Sequence, residues 1–532
     1  MATSRVITGH VIKQRRKVSV ALGWMIGVVT LSSIYGYRAA YPQHADRLRL
    51  SASFSHDAGI AAVFGPARAL DTVAGFTAFR TLGVIPIIVA IWAMLSATRA
   101  LRGEEESGRW EILISAPITK RRATLATIRG LYGSLFITLV VASVLMIITS
   151  RVSHNFSISA GLFFAVTLMA ASFFFTGVGA LTSQLASTRR LAATEAGLVL
   201  GISFLLRAVA DSSPSISWLH WLSPLGWITE SAPLTKSRWL GLLLILAGTF
   251  ILTALSVALS SKRDLGASLV PERMSQRVGT KITGTMTLWL KLQRASIGGW
   301  MAGFFFMSFA FGLVAHGATK AFGSSSGIQK TFANLGISKM SELFFGVIFM
   351  MLTSGLMFSA VSHVSALREQ ESEGYLDHIL VTPISRTRTL LSRISVSAGA
   401  FLAIGVSAGF GAFSGSSLSG GSLSLIDALL AGANMVPSAL LIFGITVAVF
   451  GLAPRATTIF GQSLLAWSFL LELIGSSLKL NHWLLDTSVL HHMAFAPASS
   501  PRWGQGALVF GIGVVMIAVG ISAFNHRDTA LG

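Results

Sequence analysis

The chain has 532 residues, 52% of them hydrophobic and 12% charged, with a mean hydropathy of +0.69. A soluble domain carries about 25% charged residues, so a cytosolic enzyme is excluded, and the long uncharged runs mark an all-α polytopic membrane protein. The net charge of +20 fits basic residues collecting on the cytoplasmic side rather than a nucleic-acid partner, and the absence of cysteine excludes disulfides, thiolate metal sites and a Cys nucleophile.

A basic arm, Lys13, Arg15, Arg16 and Lys17, precedes the first apolar run. Basic residues flanking a first span tend to stay inside, which places both termini in the cytoplasm. Of the 41 basic residues, 25 then fall in inside segments. Residues 4–17 predict an amphipathic helix on the inner leaflet. The run that follows is longer than a signal-peptide core and has eleven successors, so it is read as a span.

Twelve spans are predicted: 18–36, 81–101, 128–150, 159–183, 192–210 and 239–260, then 296–316, 342–365, 394–413, 424–452, 456–478 and 505–525. Between the sixth and seventh lies a basic segment in which Met286, Leu288, Trp289, Leu290 and Leu292 sit among polar residues. The domains are therefore read as 1–260, a cytoplasmic linker with an amphipathic helix at 261–295, and 296–532.

The halves are copies. Residues 104–118 (EEESGRWEILISAPI) recur at 370–384 (QESEGYLDHILVTPI), 266 residues on, and Phe204-Leu205-Leu206 recurs as Phe469-Leu470-Leu471. Six spans per copy is an even number, so both copies enter the membrane from the same side and form a parallel repeat with a central seam.

Each copy of the motif falls in the cytoplasmic loop after a second span. A helix over 104–115 puts Trp110, Leu113 and Ile114 on one face and the acidic cluster in its first turn, where it complements the helix dipole. In the second copy Tyr375, Leu376, Ile379 and Leu380 take those places, and Pro117 or Pro383 ends the helix. Charged and aromatic groups are offered to a partner.

This motif resembles the coupling-helix signature of type-two ABC exporter permeases, and Trp221-Leu222-Ser223-Pro224-Leu225-Gly226-Trp227 resembles an outer loop of their actinobacterial antibiotic and multidrug branch. The resemblance implies two fused six-span units and two copies of a separate nucleotide-binding ATPase that carries the ATP and Mg. It implies that this ATPase is contacted by Glu104, Glu105, Gly108, Trp110, Glu111 and Pro117, and by Glu371, Gly374, Tyr375, Asp377 and Pro383. It further implies a path for a hydrophobic substrate along spans two and five of each half, with Trp92, Phe204, Phe349 and Phe469 as contacts.

The residues themselves add three readings. No Gly-Lys dipeptide occurs, so the chain has no phosphate-cradling loop of its own, binds no cofactor and needs an ATPase from elsewhere. Met350 and Met357 among phenylalanines make an adaptable apolar surface for varied ligands. Arg207 and Glu472 each follow Phe-Leu-Leu, so they are expected to face each other across the repeat axis. A proton-coupled carrier is the alternative, with Glu472, Glu195 or Asp427 as carrier. A membrane-embedded transferase is a further one, though no nucleophile–base pair is found. His482, His491 and His492 are read as an interfacial loop and not a metal site.

Overall fold

The computed structural model describes residues 2–54, 61, 64–114, 117–212, 214–262, 284–323, 340–372, 374–376, 381, 383–478 and 481–527. Among these, every regular element is helical. The chain divides into two compact units, Met1–Ser275 and Gln276–Gly532. Eleven of the described helices are long and apolar enough to cross a membrane. A further helix, Thr457–Leu478, stands at the eleventh predicted span.

In the first unit Ala2–Ala40 is one unbroken 39-residue helix. The basic arm is therefore an extension of the first span and not a separate helix on the leaflet. Neither Gly nor Pro interrupts residues 10–22, and the arm has packing of its own. Ile7 and Val11 are buried. Thr8 donates to the Ala126 carbonyl at 2.9 Å and Arg15 to that of Ser96 at 3.2 Å. Further along, Gly23 and Gly27 lie against Val141 and Leu145 of helix Lys120–Ser153, and a Cβ on Gly23 would come within 2.7 Å of Val141. Small residues here allow the close approach that drives helix pairing in lipid.

The second unit repeats this element as Thr285–Gly323, also 39 residues. Met286 to Leu292 thus run straight into the seventh span. Trp289 is buried there, beneath the Arg393 guanidinium at 4.6 Å.

The second span is assembled in pieces: Val73–Leu82, then Ile85–Thr98 with Pro86 in its first turn, then a wide π turn over Arg99–Gly103 that continues as Glu104–Glu106. Its counterpart, Met340–Ser372, is a single helix. In the same unit Val436–Leu452 packs on Trp503–His526 glycine to glycine, with Gly444 on Gly513 and Gly451 on Gly520. A Cβ on Gly513 would lie 2.9 Å from the Leu440 carbonyl oxygen, and one on Gly520 would lie 2.5 Å from that of Val447. Seven residues, about two turns, separate the glycines on each helix, so the contact stays on one face.

Candidate functional site

Each motif begins where a span helix ends. Glu104–Glu106 is the last turn of the second span, and Gly108 follows with φ +73°. That left-handed backbone closes a helix and is open to glycine without steric cost. A short helix, Arg109–Ile114, comes next. The single helix expected over 104–115 is therefore broken at Gly108. The three glutamates occupy a C-terminal turn, where the dipole disfavours them.

Cations offset this. Glu104 pairs with Arg109 at 2.5 Å, and the hydrogen bond pushes the Arg109 guanidinium above its ordinary value. Glu105, its side chain 6% exposed, pairs with the buried Arg102 at 3.5 Å. Arg102 in turn donates to the Ser187 carbonyl at 2.9 Å, and Glu106 accepts the Arg189 N–H at 2.7 Å. The motif is thereby fastened to the start of the fifth span, Arg189–Ser212. Trp110 is buried in a cluster with Ile7, Leu101 and Val257, so it does not face outward. Glu111 and Pro117 are exposed.

The second unit keeps the plan and changes the fastening. Gly374 has φ +77°. Arg368 and Glu371 stand 266 residues after Arg102 and Glu105, 3.8 Å apart. Glu371, its side chain 1% exposed, also receives two hydrogen bonds from the Arg527 guanidinium, 2.7 and 3.0 Å long. That guanidinium lies over the rings of Phe450 and Phe524 at 5.0 and 5.1 Å. Leu376, the counterpart of Trp110, is buried, whereas Tyr375 and Pro383 are exposed. Asp377 lies outside the described residues. Glu105, Trp110 and Glu371 thus hold each motif to its own unit. The faces left open carry Glu111, Pro117, Tyr375 and Pro383, with Glu104 half-buried.

The expected path residues separate into surface and core. Trp92 is half-buried against a core cluster that includes Ile26, Val89 and Leu168, and Met350 is half-buried too. Phe469 is exposed. Phe349 and Met357 are wholly buried in the core of the second unit, so they line nothing accessible. On the same helix Met351 and Phe358 are exposed, and Phe358 borders a cavity of about 460 Å³. Val361, Ser362 and Ser365 from Met340–Ser372 form one wall, which runs on to Arg368, Glu369 and Ser372 at the motif, and Thr458 and Gln462 from Thr457–Leu478 form another. An aromatic ring beside hydroxyl and amide groups suits an amphipathic guest. The side chain of Glu472 lies outside the described residues.

Arg207 finds its partner within its own unit. It lies over the Phe204 ring at 5.0 Å and pairs with Asp211, one turn on, at 3.5 Å, both buried. Asp211 also meets His220 Nε2 at 2.6 Å, and His220 Nδ1 lies 3.4 Å from Glu230. Glu230 in turn accepts from Arg68 at 2.9 Å, with Arg238 at 3.5 Å. This chain of charges ties the fifth span to the 3-10 helix Pro214–Leu222, to Pro224–Glu230 and to the loop before Val73. Buried charges persist only where they are paired. The i,i+4 spacing of Arg207 and Asp211 is the one sequence signal that points to it.

The family model for the C-terminal domain of the multidrug efflux system permease Rv1217c matches this chain twice, over residues 12–259 and 282–525. Along its length the chain is 28% identical, over 535 residues, to the multidrug efflux system permease protein Rv1217c of Mycobacterium tuberculosis (strain ATCC 25618 / H37Rv). The alignment covers 97% of this chain and 93% of that protein. Taken with a helical membrane fold that carries the same motif in both units, these matches establish that the chain belongs to the Rv1217c family of multidrug efflux permeases.

Proposed function

We propose that this chain is the membrane subunit of an ATP-binding-cassette exporter. It assembles with two copies of a separate ATPase that binds the ATP and Mg, and it moves amphipathic compounds outward across the bacterial cell membrane, with both termini cytoplasmic. One observation carries this reading. In each unit an acidic turn at the end of the second span is fixed by an arginine–glutamate pair whose carboxylate is buried, then followed by a left-handed glycine and an outward-facing segment. A surface presented twice in this way, each time rigidly joined to a span, is what a pair of identical motor subunits would push on.

The energy source follows from the sequence, which has no Gly-Lys-Ser/Thr loop. ATP-driven approach of the two ATPases displaces the motifs, and access to the cavity beside Phe358 changes from one side of the membrane to the other. The test is co-expression with the ATPase encoded beside it, native mass spectrometry, and transport in inverted vesicles. One permease with two ATPases, and ATP-dependent uptake abolished by Glu111→Lys with Tyr375→Glu, is the expected result. Transport by the chain alone under a proton gradient would replace this reading with a secondary carrier.

A further inference from the structure

We infer that the two motifs pass their movement to different spans, the first to the fifth span through Glu106 and the second to the last span through Arg527, a positioning residue for coupling. This rests on the ATPase-driven reading above and specifies its internal route.

In the first unit the link is made by backbone and carboxylate. Glu106 accepts the N–H of Arg189, the first residue of helix Arg189–Ser212, and so sits at the positive end of that helix's dipole. Arg102 secures the same turn through the Ser187 carbonyl. Where the acidic turn goes, the start of the fifth span goes with it.

The second unit lacks both halves of that link. Ser372 replaces Glu106, and its hydroxyl donates back to the Glu369 carbonyl at 2.8 Å. The turn before Thr457–Leu478 opens with Pro454, which has no N–H to give. Arg527, just past the end of Trp503–His526, supplies the replacement. Two parallel hydrogen bonds between a guanidinium and a carboxylate fix orientation as well as distance. Glu371 is buried, and the rings of Phe450 and Phe524 flank the pair, so it is not a surface contact that opens and closes with solvent. The Arg527 carbonyl accepts from Arg386 at 2.8 Å, and Asn525 donates to Thr387 at 2.8 Å, so the same helix end is also anchored to Arg386–Leu418. Glycine-to-glycine packing then couples the last span to Val436–Leu452. In the first unit the matching place, at the 265-residue spacing of Phe204 and Phe469, is held by the exposed Lys262, and the motif meets the last span of its unit through the apolar cluster of Trp110 and Val257.

The test uses the full chain with its ATPase in lipid nanodiscs. Because the chain has no cysteine, spin labels go only where they are placed. One pair, Tyr375→Cys with Val519→Cys, reports the second motif against the last span. The other, Glu111→Cys with Leu198→Cys, reports the first motif against the fifth span. Both distances should be the same without nucleotide and with ATP and vanadate. Arg527→Ala should broaden and shift only the first pair's distances, and Glu106→Ala only the second's.

Arg527→Ala should leave assembly and ATP hydrolysis near wild type but lower transport per ATP about tenfold. Arg527→Lys should fall between, and Glu371→Arg with Arg527→Glu should recover most of the loss. Unchanged distances and unchanged transport per ATP in Arg527→Ala would overturn the inference. If that variant does not fold, a charge swap performing no better than Arg527→Lys would do the same. A wild-type complex without ATP-driven transport is a failure of the exporter reading; the label distances in the chain alone still decide whether Arg527 fixes the motif.

Discussion

Gly108 and Gly374, 266 residues apart, hold the same left-handed backbone, with φ of +73° and +77°. No atom lies within 4 Å of the place where a Cβ on Gly108 would stand, so substitution there meets only backbone strain. Gly108→Ala should cost about 1 kcal/mol, and Gly108→Asn less, because asparagine tolerates this conformation. Thermal unfolding of the detergent-solubilised chain measures both. Equal stability of the two variants would argue against strain as the cause.

The glycine contact between Val436–Leu452 and Trp503–His526 is between backbones, which cannot move aside as side chains can. Gly513→Leu should therefore destabilise the chain by about 1–3 kcal/mol or prevent its accumulation. Gly511→Leu is the control, since a Cβ there meets nothing within 4 Å. Size-exclusion profiles and melting temperatures of the two variants should diverge clearly.

Asp211 is the buried link between Arg207 and His220. Asp211→Ala deprives the buried Arg207 guanidinium and the His220 ring of their acceptor in a dry site and should cost about 3–5 kcal/mol. Replacing the pair together, Arg207→Met with Asp211→Leu, should cost less than the single change. Chemical denaturation in mixed micelles distinguishes the cases; additive losses would show that the pair does not act as a unit.

The cavity beside Phe358 has room for a guest, and Ser362 is half-buried in its wall. Ser362→Trp should fill it. Export of large amphipathic dyes from cells should fall about tenfold, a loss of roughly 1.4 kcal/mol in productive binding, with protein abundance in the membrane unchanged. Phe358→Ala should shift the preference between large and small dyes. Dye efflux unaffected by Ser362→Trp would remove the cavity from the path.

The all-helical membrane fold and the duplication are legible in the sequence because hydropathy and repetition are local signals; of the twelve expected spans, eleven stand among the described helices as long and apolar enough to cross. The break at Gly108 is not legible, because the periodicity of Trp110, Leu113 and Ile114 belongs to the short helix alone and says nothing of the acidic run before it. The burial of Glu371 depends on Arg527, 156 residues away, and a carboxylate carries no mark of a partner that distant. Likewise the change from polar to apolar residues after Lys17 marks where a helix enters lipid, not where it begins. Phe349 and Met357 show the same limit: an apolar face reads alike whether it meets a guest or a core.

Ala2–Ala40 is about 58 Å long, nearly twice the ~30 Å bilayer core. Arg15 tethers it near one end to the Ser96 carbonyl, and the Tyr37 hydroxyl tethers it at the other to the Leu70 carbonyl at 2.6 Å. Between them Gly23 and Gly27 are seated on Val141 and Leu145. A continuous rod held at both sides and along its middle cannot bend at one membrane face independently of the other, so any tilt imposed on this helix at the cytoplasmic end would reach its far end undiminished.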